Sequence, residues 1–273
     1  WFPSCKKGSC RVGSATFCKV LPFGVGEIMK PLLAGNWKMH GLSGSAKVLA
    51  CRLAELDLTS MDVDVVVFPP NVHARIVFDE IAKSDLGLGA QNMSEHASGA
   101  FTGEISGEML REVGCDYVLV GHSERRSLFS ESSDLVAEKF RSAQSSRMTP
   151  ILCVGESLEQ RQQGLTSKVI DEQIDAVLNL VGLSDLCRGV IAYEPLWAIG
   201  TGKVASPMQA QKVHAEIRAK LGGEGSGTRL LYGGSLTSKN AAGLFAEPDI
   251  DGGLVGGASL DGEEFIKIAR LLA

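Results

Sequence analysis

A chain of 273 residues with 44% hydrophobic and 22% charged side chains can bury a large core, as one big domain or two small ones. A net charge of −5, with no Lys/Arg stripe interleaved with aromatics, argues against nucleic acid as a partner. The 32 glycines follow no repeat period, which excludes fibrous architectures, and no apolar run reaches the roughly 18 residues of a membrane span.

Residues 1–28 stand apart. They hold Cys5, Cys10 and Cys18, the bases Lys6, Lys7, Arg11 and Lys19, and one acid, Glu27, and they sustain neither a period of 2 nor one of 3.6. They are expected to be a poorly ordered, dispensable arm. Either they are an extension outside the native chain, with translation starting at Met29, or they are a basic, acid-poor targeting segment.

From Pro31 onward the pattern is strand then helix, repeated. Strands are predicted at 32–36, 63–68, 86–91, 117–121, 151–154, 190–193, 229–231 and 250–255. Several are apolar throughout, as a parallel sheet covered on both faces requires. Between them, Ala46, Leu49, Ala50 and Leu53 make one helical stripe, and Ala210, Val213, Ile217 and Leu221 another. Residues 165–180 predict the longest helix. Ser206, Pro207 and Gln209 combine an N-cap, a first-turn proline and a capping box, and Asp261 caps the last helix.

Eight such units across 29–273 predict a single α/β domain, a closed (β/α)8 TIM barrel. The rival is a doubly wound open sheet. It lacks support, because no Gly-x-Gly-x-x-Gly opens a helix after an early strand. The seven cysteines, Cys51, Cys115, Cys153 and Cys187 completing the set, have no zinc-type spacing. Cys115 and Cys153 sit in or beside strand-like apolar runs, where a free thiol behaves as a small hydrophobe, so a reduced, cytoplasmic compartment fits best, with disulfides in the body as the alternative.

In a barrel of this kind all strand C-termini open at one face. Asn36 and Lys38 follow strand one, Gln91 and Asn92 strand three, His122 strand four, Glu194 strand six, Ser235 strand seven, and Gly256 and Gly257 strand eight. Each has an innocent reading alone: a solvated lysine, a structural histidine, a surface acid. Their convergence on one mouth favours chemistry. Glu194 ends an apolar strand directly before a glycine-hinged, Trp-bearing segment. A lid that strips water from this carboxylate would make it a general base. His122 opens a short helical turn, whose amides disfavour imidazolium and leave a neutral ring to donate to an oxyanion. Lys38 supplies a cation. Gly200, Ser235, Gly256 and Gly257 offer backbone N–H groups for a phosphate. This set needs neither a metal nor a cofactor, and it suits proton abstraction beside a carbonyl.

The runs Ala34-Gly35-Asn36-Trp37-Lys38-Met39, Gly121-His122-Ser123-Glu124-Arg125-Arg126, Ala192-Tyr193-Glu194-Pro195-Leu196-Trp197-Ala198-Ile199-Gly200-Thr201-Gly202-Lys203, Tyr232-Gly233-Gly234-Ser235 and Leu254-Val255-Gly256-Gly257-Ala258-Ser259-Leu260 resemble, in order, the motifs of the triosephosphate isomerase family. The resemblance spans Met29 to Ala273. It implies interconversion of dihydroxyacetone phosphate and D-glyceraldehyde 3-phosphate through an enediolate, a step of glycolysis and gluconeogenesis. It further implies Glu194 as base, His122 as electrophile, and Lys38 with Asn36 as the pair that binds substrate. Glu124, with Ser123 beside it, resembles the supporting acid that orients the lysine. The lid would be Pro195, Leu196, Trp197, Ala198, Ile199, Gly200, Thr201, Gly202, Lys203 and Val204, with Gly200 donating to the phosphate on closure.

The family is usually a homodimer. The resemblance places Asn92, Met93, Phe101 and Thr102 of loop 91–103 in that interface, with Met39 as the receiving wall. A long loop carrying Met93 and Phe101 would expose apolar surface if unpaired. Three positions depart from the family pattern: His40 for asparagine, Leu196 for valine, and Gly253 where a bulky aromatic is usual. The competing functions are an enzyme for larger sugar or indole phosphates, and a binding barrel that has lost catalysis. Tight loops and Trp197 speak against the first. The joint presence of Glu194, His122 and Lys38 speaks against the second, since buried polar groups are costly without a use.

Overall fold

Strands that are apolar on both faces must be covered on both, and a parallel sheet wrapped in helices satisfies that demand. The computed structural model describes residues 29–58, 60–199 and 204–273; the stretch 1–28, expected to be an arm, and Gly200, Thr201, Gly202 and Lys203 of the expected lid lie outside the described residues. Its strands are β1 (Leu32–Asn36), β2 (Asp64–Phe68), β3 (Gly87–Ala90), β4 (Tyr117–Val120), β5 (Thr149–Val154), β6 (Val190–Tyr193), β7 (Leu230–Tyr232) and β8 (Gly252–Val255). They pair in parallel in chain order and close on themselves, Ala34 of β1 facing Val66 of β2 on one side and Leu254 of β8 on the other. This is the expected (β/α)8 TIM barrel. Around it run α1 (Ser43–Ala54), α2 (Ala74–Ile81), α3 (Gly107–Val113), α4 (Ser123–Leu128), α5 (Ser133–Ser145), α6 (Leu158–Gln162), α7 (Thr166–Val181), α8 (Leu183–Cys187), α9 (Pro207–Leu221), α10 (Ala241–Phe245) and α11 (Gly262–Leu272).

Alternation along each strand splits the core in two. Leu32, Ala34, Val66, Phe68, Leu119, Ile151, Cys153, Val190, Ala192, Leu231 and Leu254 fill the barrel interior. Their neighbours Leu33, Val65, Val67, Val118, Leu152 and Ile191 point outward and meet the helix stripes, including Ala46, Ala50 and Leu53 of α1 and Ala210, Val213, Ile217 and Leu221 of α9. The same phase carries chemistry to the mouth. Asn36 lies two residues past Ala34, and Glu194 two past Ala192, so both continue the inward-facing column.

Local details explain individual glycines. A methyl on Gly89 would sit 2.1 Å from Phe68 Cε1, so β3 forgoes side chains where Phe68 fills the barrel. Gly253, the departure from the family's aromatic, has its space taken by Leu236, whose Cδ2 lies 2.4 Å from where a Cβ would be. The expected caps form: Ser206 and Gln209 bond each other's backbone N–H groups, and Asp261 accepts from Glu263 and Glu264. Helix α7 falls where the longest helix was expected. The short α3, α6, α8 and α10 have too few turns for a 3.6 period to show. Strand β5 starts earlier than predicted and runs through Pro150, and β8 starts later, at Gly252. In place of a strand residue, Asp251 turns its carboxylate to Arg218 and the Leu230 N–H.

Candidate active site

The strand ends surround a cavity of about 370 Å³, lined by Asn36, Lys38, His122, Glu194, Ser235, Gly256 and Gly257, with His40, Ile199, Leu236 and Leu254 among its other wall residues. Residues from five strand ends thus meet as the barrel topology demands. Asn36, His122 and Glu194 are buried.

The chain leaves β4 through Gly121, whose φ of +70° turns it sharply into α4 with His122 as the N-cap. There His122 Nδ1 accepts the Glu124 N–H at 3.2 Å. A nitrogen that accepts has no proton, so the ring is neutral with its hydrogen on Nε2. That Nε2–H faces Glu194 Oε1 at 3.1 Å. The other carboxylate oxygen, Oε2, accepts the Ser123 N–H at 2.9 Å. Ser123 therefore acts through its backbone, at the first turn of α4, where a negative charge is favoured.

Lys38 is held from several sides. Its φ of +51° is a left-handed conformation uncommon for a side-chain-bearing residue, and such strain concentrates at functional sites. Asn36 Oδ1 accepts the Lys38 N–H at 3.0 Å, and Gln91 Nε2 donates to the Lys38 carbonyl at 2.8 Å. The ammonium pairs with Glu124 Oε1 at 2.6 Å. Burial pushes the Glu124 carboxyl up, but the Lys38 hydrogen bond and nearby positive charge outweigh it, and its pKa lies below the ordinary value.

Below Glu194 lies a support made by the end of β5. Glu194 N–H donates to Val154 O at 2.7 Å, and Leu196 N–H to Glu156 O at 3.2 Å. Glu156 is fully buried, and its Oε1 accepts from Tyr193 Oη at 3.1 Å, Trp197 Nε1 at 3.0 Å and Arg161 at 3.1 Å. Arg161 also stacks over the Trp197 ring at 4.7 Å. On the far side, the Ser235 N–H and hydroxyl both donate to Ala198 O, at 3.2 and 2.5 Å. Ser235, expected to offer a free N–H to a phosphate, here clasps Ala198 in the first part of the expected lid, so that amide must exchange partners before it can serve an anion.

The sequence profile described as Triosephosphate isomerase matches residues 31–272. The chain belongs to the triosephosphate isomerase family. A triosephosphate isomerase from Thiobacillus denitrificans is 53% identical over 248 residues, covering 89% of this chain and 99% of that protein. Those of Dechloromonas aromatica and Shewanella amazonensis are 50% and 49% identical, over 88% and 89% of this chain and 98% of each relative.

Seen within the triosephosphate isomerase family, the motif residues of β1, β4, β6, β7 and β8 converge on one cavity, Gly200 excepted, since it lies outside the described residues. Met93 does not sit where the loop reading put it. It is 1% exposed and packs in the protomer's own core, so it offers no surface to a neighbour. Phe101, Thr102 and Met39 are exposed, with Phe101 stacked on His96 at 3.9 Å. Sequence reasoning passed over Gln91's grip on Lys38, and it missed Glu156 and Arg161 entirely. The strand-end rule that found His122 and Glu194 would have found Glu156 too, two residues past the end of β5. Among the described residues, no group of three or more His, Cys, Asp or Glu is placed to hold a metal ion.

Proposed function

We propose that Glu194, His122, Lys38 and Asn36 carry out the isomerisation, with Glu194 as the base. As a triosephosphate isomerase, the chain interconverts dihydroxyacetone phosphate and D-glyceraldehyde 3-phosphate, a glycolytic step. The observation that carries the residue assignment is the neutral His122 ring aiming Nε2–H at Glu194 across the cavity, 3.1 Å away. Substrate comes between the two. Glu194 then takes a proton from one carbon and returns it to the next, while His122 Nε2–H donates to the oxygen that gains charge. Lys38, braced by Glu124, places a cation beside the enediolate, and Asn36 orients Lys38 and the substrate. Ser235, Gly256 and Gly257 cradle the phosphate, joined by Gly200 when the lid 195–204 closes. Closure excludes water and holds a geometry that protects the enediolate from expelling its phosphate.

Glu194→Asp tests the assignment. A base set back by one methylene loses alignment, and turnover is expected to fall at least about a hundredfold with KM nearly unchanged. Wild-type turnover in a folded variant refutes Glu194 as the base.

The working form we propose is a cytoplasmic homodimer of the 29–273 domain. A second cavity of about 570 Å³ beside Lys38 and His122 is lined by Met39, Asn92, Leu128 and Phe129, and a neighbour's loop 91–103 with Phe101 and Thr102 fits it. Met39 is 94% exposed, Leu128 73% and Phe129 64%, and the three line one cavity, an apolar patch of the kind a partner covers. Cys51, Cys115, Cys153 and Cys187 are all free, which suits a reducing compartment. Sedimentation that finds a fully active monomer overturns the dimer. A chain starting at Met29 is expected to keep full activity, and loss of activity on that deletion overturns the dispensable arm.

A further inference from the structure

Helix α7 lies outside the barrel and supplies none of the residues named above, yet one of its side chains reaches the mouth. Gln173 Oε1 accepts the Gly155 N–H at 2.9 Å, and Gln173 Nε2 donates to the Gly155 carbonyl at 3.0 Å. Gly155 is buried and is the first residue past β5, so its peptide groups have left the strand ladder at a place water does not reach freely. A primary amide satisfies both at once. Two bonds to one residue fix its position and tilt, as a neighbouring strand would.

What Gly155 touches makes this pairing consequential. The residues on either side of it, Val154 and Glu156, accept the N–H groups of Glu194 and Leu196. At Gly155 itself, a Cβ would lie 1.8 Å from the Glu194 carbonyl oxygen and 2.9 Å from Leu196 Cδ1. Main chain is therefore in direct contact with main chain, and no side chain intervenes to absorb a shift. Any displacement of the Gly155 peptide moves the Glu194 peptide and the root of the lid.

We infer that Gln173 is a positioning residue for the isomerisation: by clamping Gly155 it sets the aim of the Glu194 carboxylate. This rests on Glu194 being the base. The phosphate-facing residues Ser235, Gly256 and Gly257 come from β7 and β8, on other walls of the cavity, so loosening Gly155 disturbs the proton transfer and leaves phosphate binding alone.

The test compares Gln173→Leu, Gln173→Glu and Glu194→Asp with wild type, in a coupled assay on glyceraldehyde 3-phosphate. Leucine fills the space without either bond. It is expected to lower kcat about ten- to a hundredfold, with KM and inhibition by inorganic phosphate changed less than about twofold. In Gln173→Glu the carboxylate accepts the Gly155 N–H but sets a second oxygen against the Gly155 carbonyl. Once protonated, the acid donates again, so kcat relative to wild type is expected to recover as pH falls from about 8 to about 5. A residue with only a structural role would lower the unfolding midpoint while leaving kcat and its pH profile at wild type, and that result overturns the inference. An effect confined to KM overturns it as well. Should Gln173→Leu fail to fold, the pH profile of Gln173→Glu decides: recovery supports the clamp, and a profile parallel to wild type overturns it. If Glu194→Asp retains full turnover, the base assignment falls and takes this inference with it. If only the Gln173 variants are silent, the base stands and the clamp alone is refuted.

Discussion

Gly233→Ala puts a single methyl group against Glu194, the proposed base. Gly233 follows β7, and its φ lies outside the left-handed range, so alanine fits the local backbone. Its Cβ would fall 2.9 Å from Glu194 Cγ and 3.1 Å from Tyr193 O. Carbon atoms in contact prefer about 3.5–4.0 Å, so Glu194 Cγ must withdraw by roughly 0.6–1 Å. The retreat is not free, because the carboxylate is tied to Ser123 N–H and His122 on one side and the backbone rests on Gly155 on the other. A displacement near 1 Å from the productive geometry costs about a hundredfold in rate, or about 2.7 kcal/mol of barrier. Steady-state kinetics on glyceraldehyde 3-phosphate should therefore show kcat down about ten- to a hundredfold, with a smaller change in KM. Circular dichroism and the melting temperature report whether the fold survives. A folded variant with kcat within about twofold of wild type would mean that Glu194 has slack the packing denies, and the positional argument would fail.

Gly257→Ala is the steric counterpart. Its methyl meets nothing within 4 Å and projects into open space, so it should raise KM for the phosphorylated substrate more than it lowers kcat. For His122→Gln, the amide can still donate a hydrogen bond but cannot relay a proton as imidazole does, so proton transfer between the substrate oxygens should slow; solvent-isotope exchange into both carbons at the wild-type rate would count against the role. His214 predicts a pH dependence of stability. Burial lowers its pKa from the ordinary 6.5 to about 4, against the opposing backbone hydrogen bonds of Ala210 and Leu231. The unfolded chain thus takes up the proton first on acidification. The stability from a neutral His214 is complete above about pH 6.5 and lost as pH falls toward 4, by up to about 3 kcal/mol. His214→Gln should flatten that part of the urea-stability profile, and an unchanged slope would refute the assignment.

Much of the molecule was legible because its signals are local. Alternation and apolar runs mark strands, the capping box at Ser206 and the N-cap at Asp261 mark helix starts, and strand-end polar residues mark the mouth. Met93 misled because a methionine in a long loop reads the same whether it faces a partner or its own core. Only the packing of α3, where Met93 Cε lies 3.0 Å from a Cβ built on Gly107, separates the two. Glu156 and Gln173 escaped notice for a related reason. A glutamate in a polar loop and a glutamine on a helix look like surface residues until the elements they reach are in place.

Element order and the eight-unit count that implied a barrel followed from sequence alone, and the proposed reacting groups were picked out by motifs within a few residues. The working geometry did not. The tie between Lys38 and Glu124 spans 86 residues, the bond from Ser123 to Glu194 spans 71, and the Gln173 clamp reaches back 18 to Gly155. The proton position on His122, the resting place of the Glu194 carboxylate and the support beneath it are set by contacts of this length. They come into being only when the barrel closes and brings its strand ends within hydrogen-bonding distance.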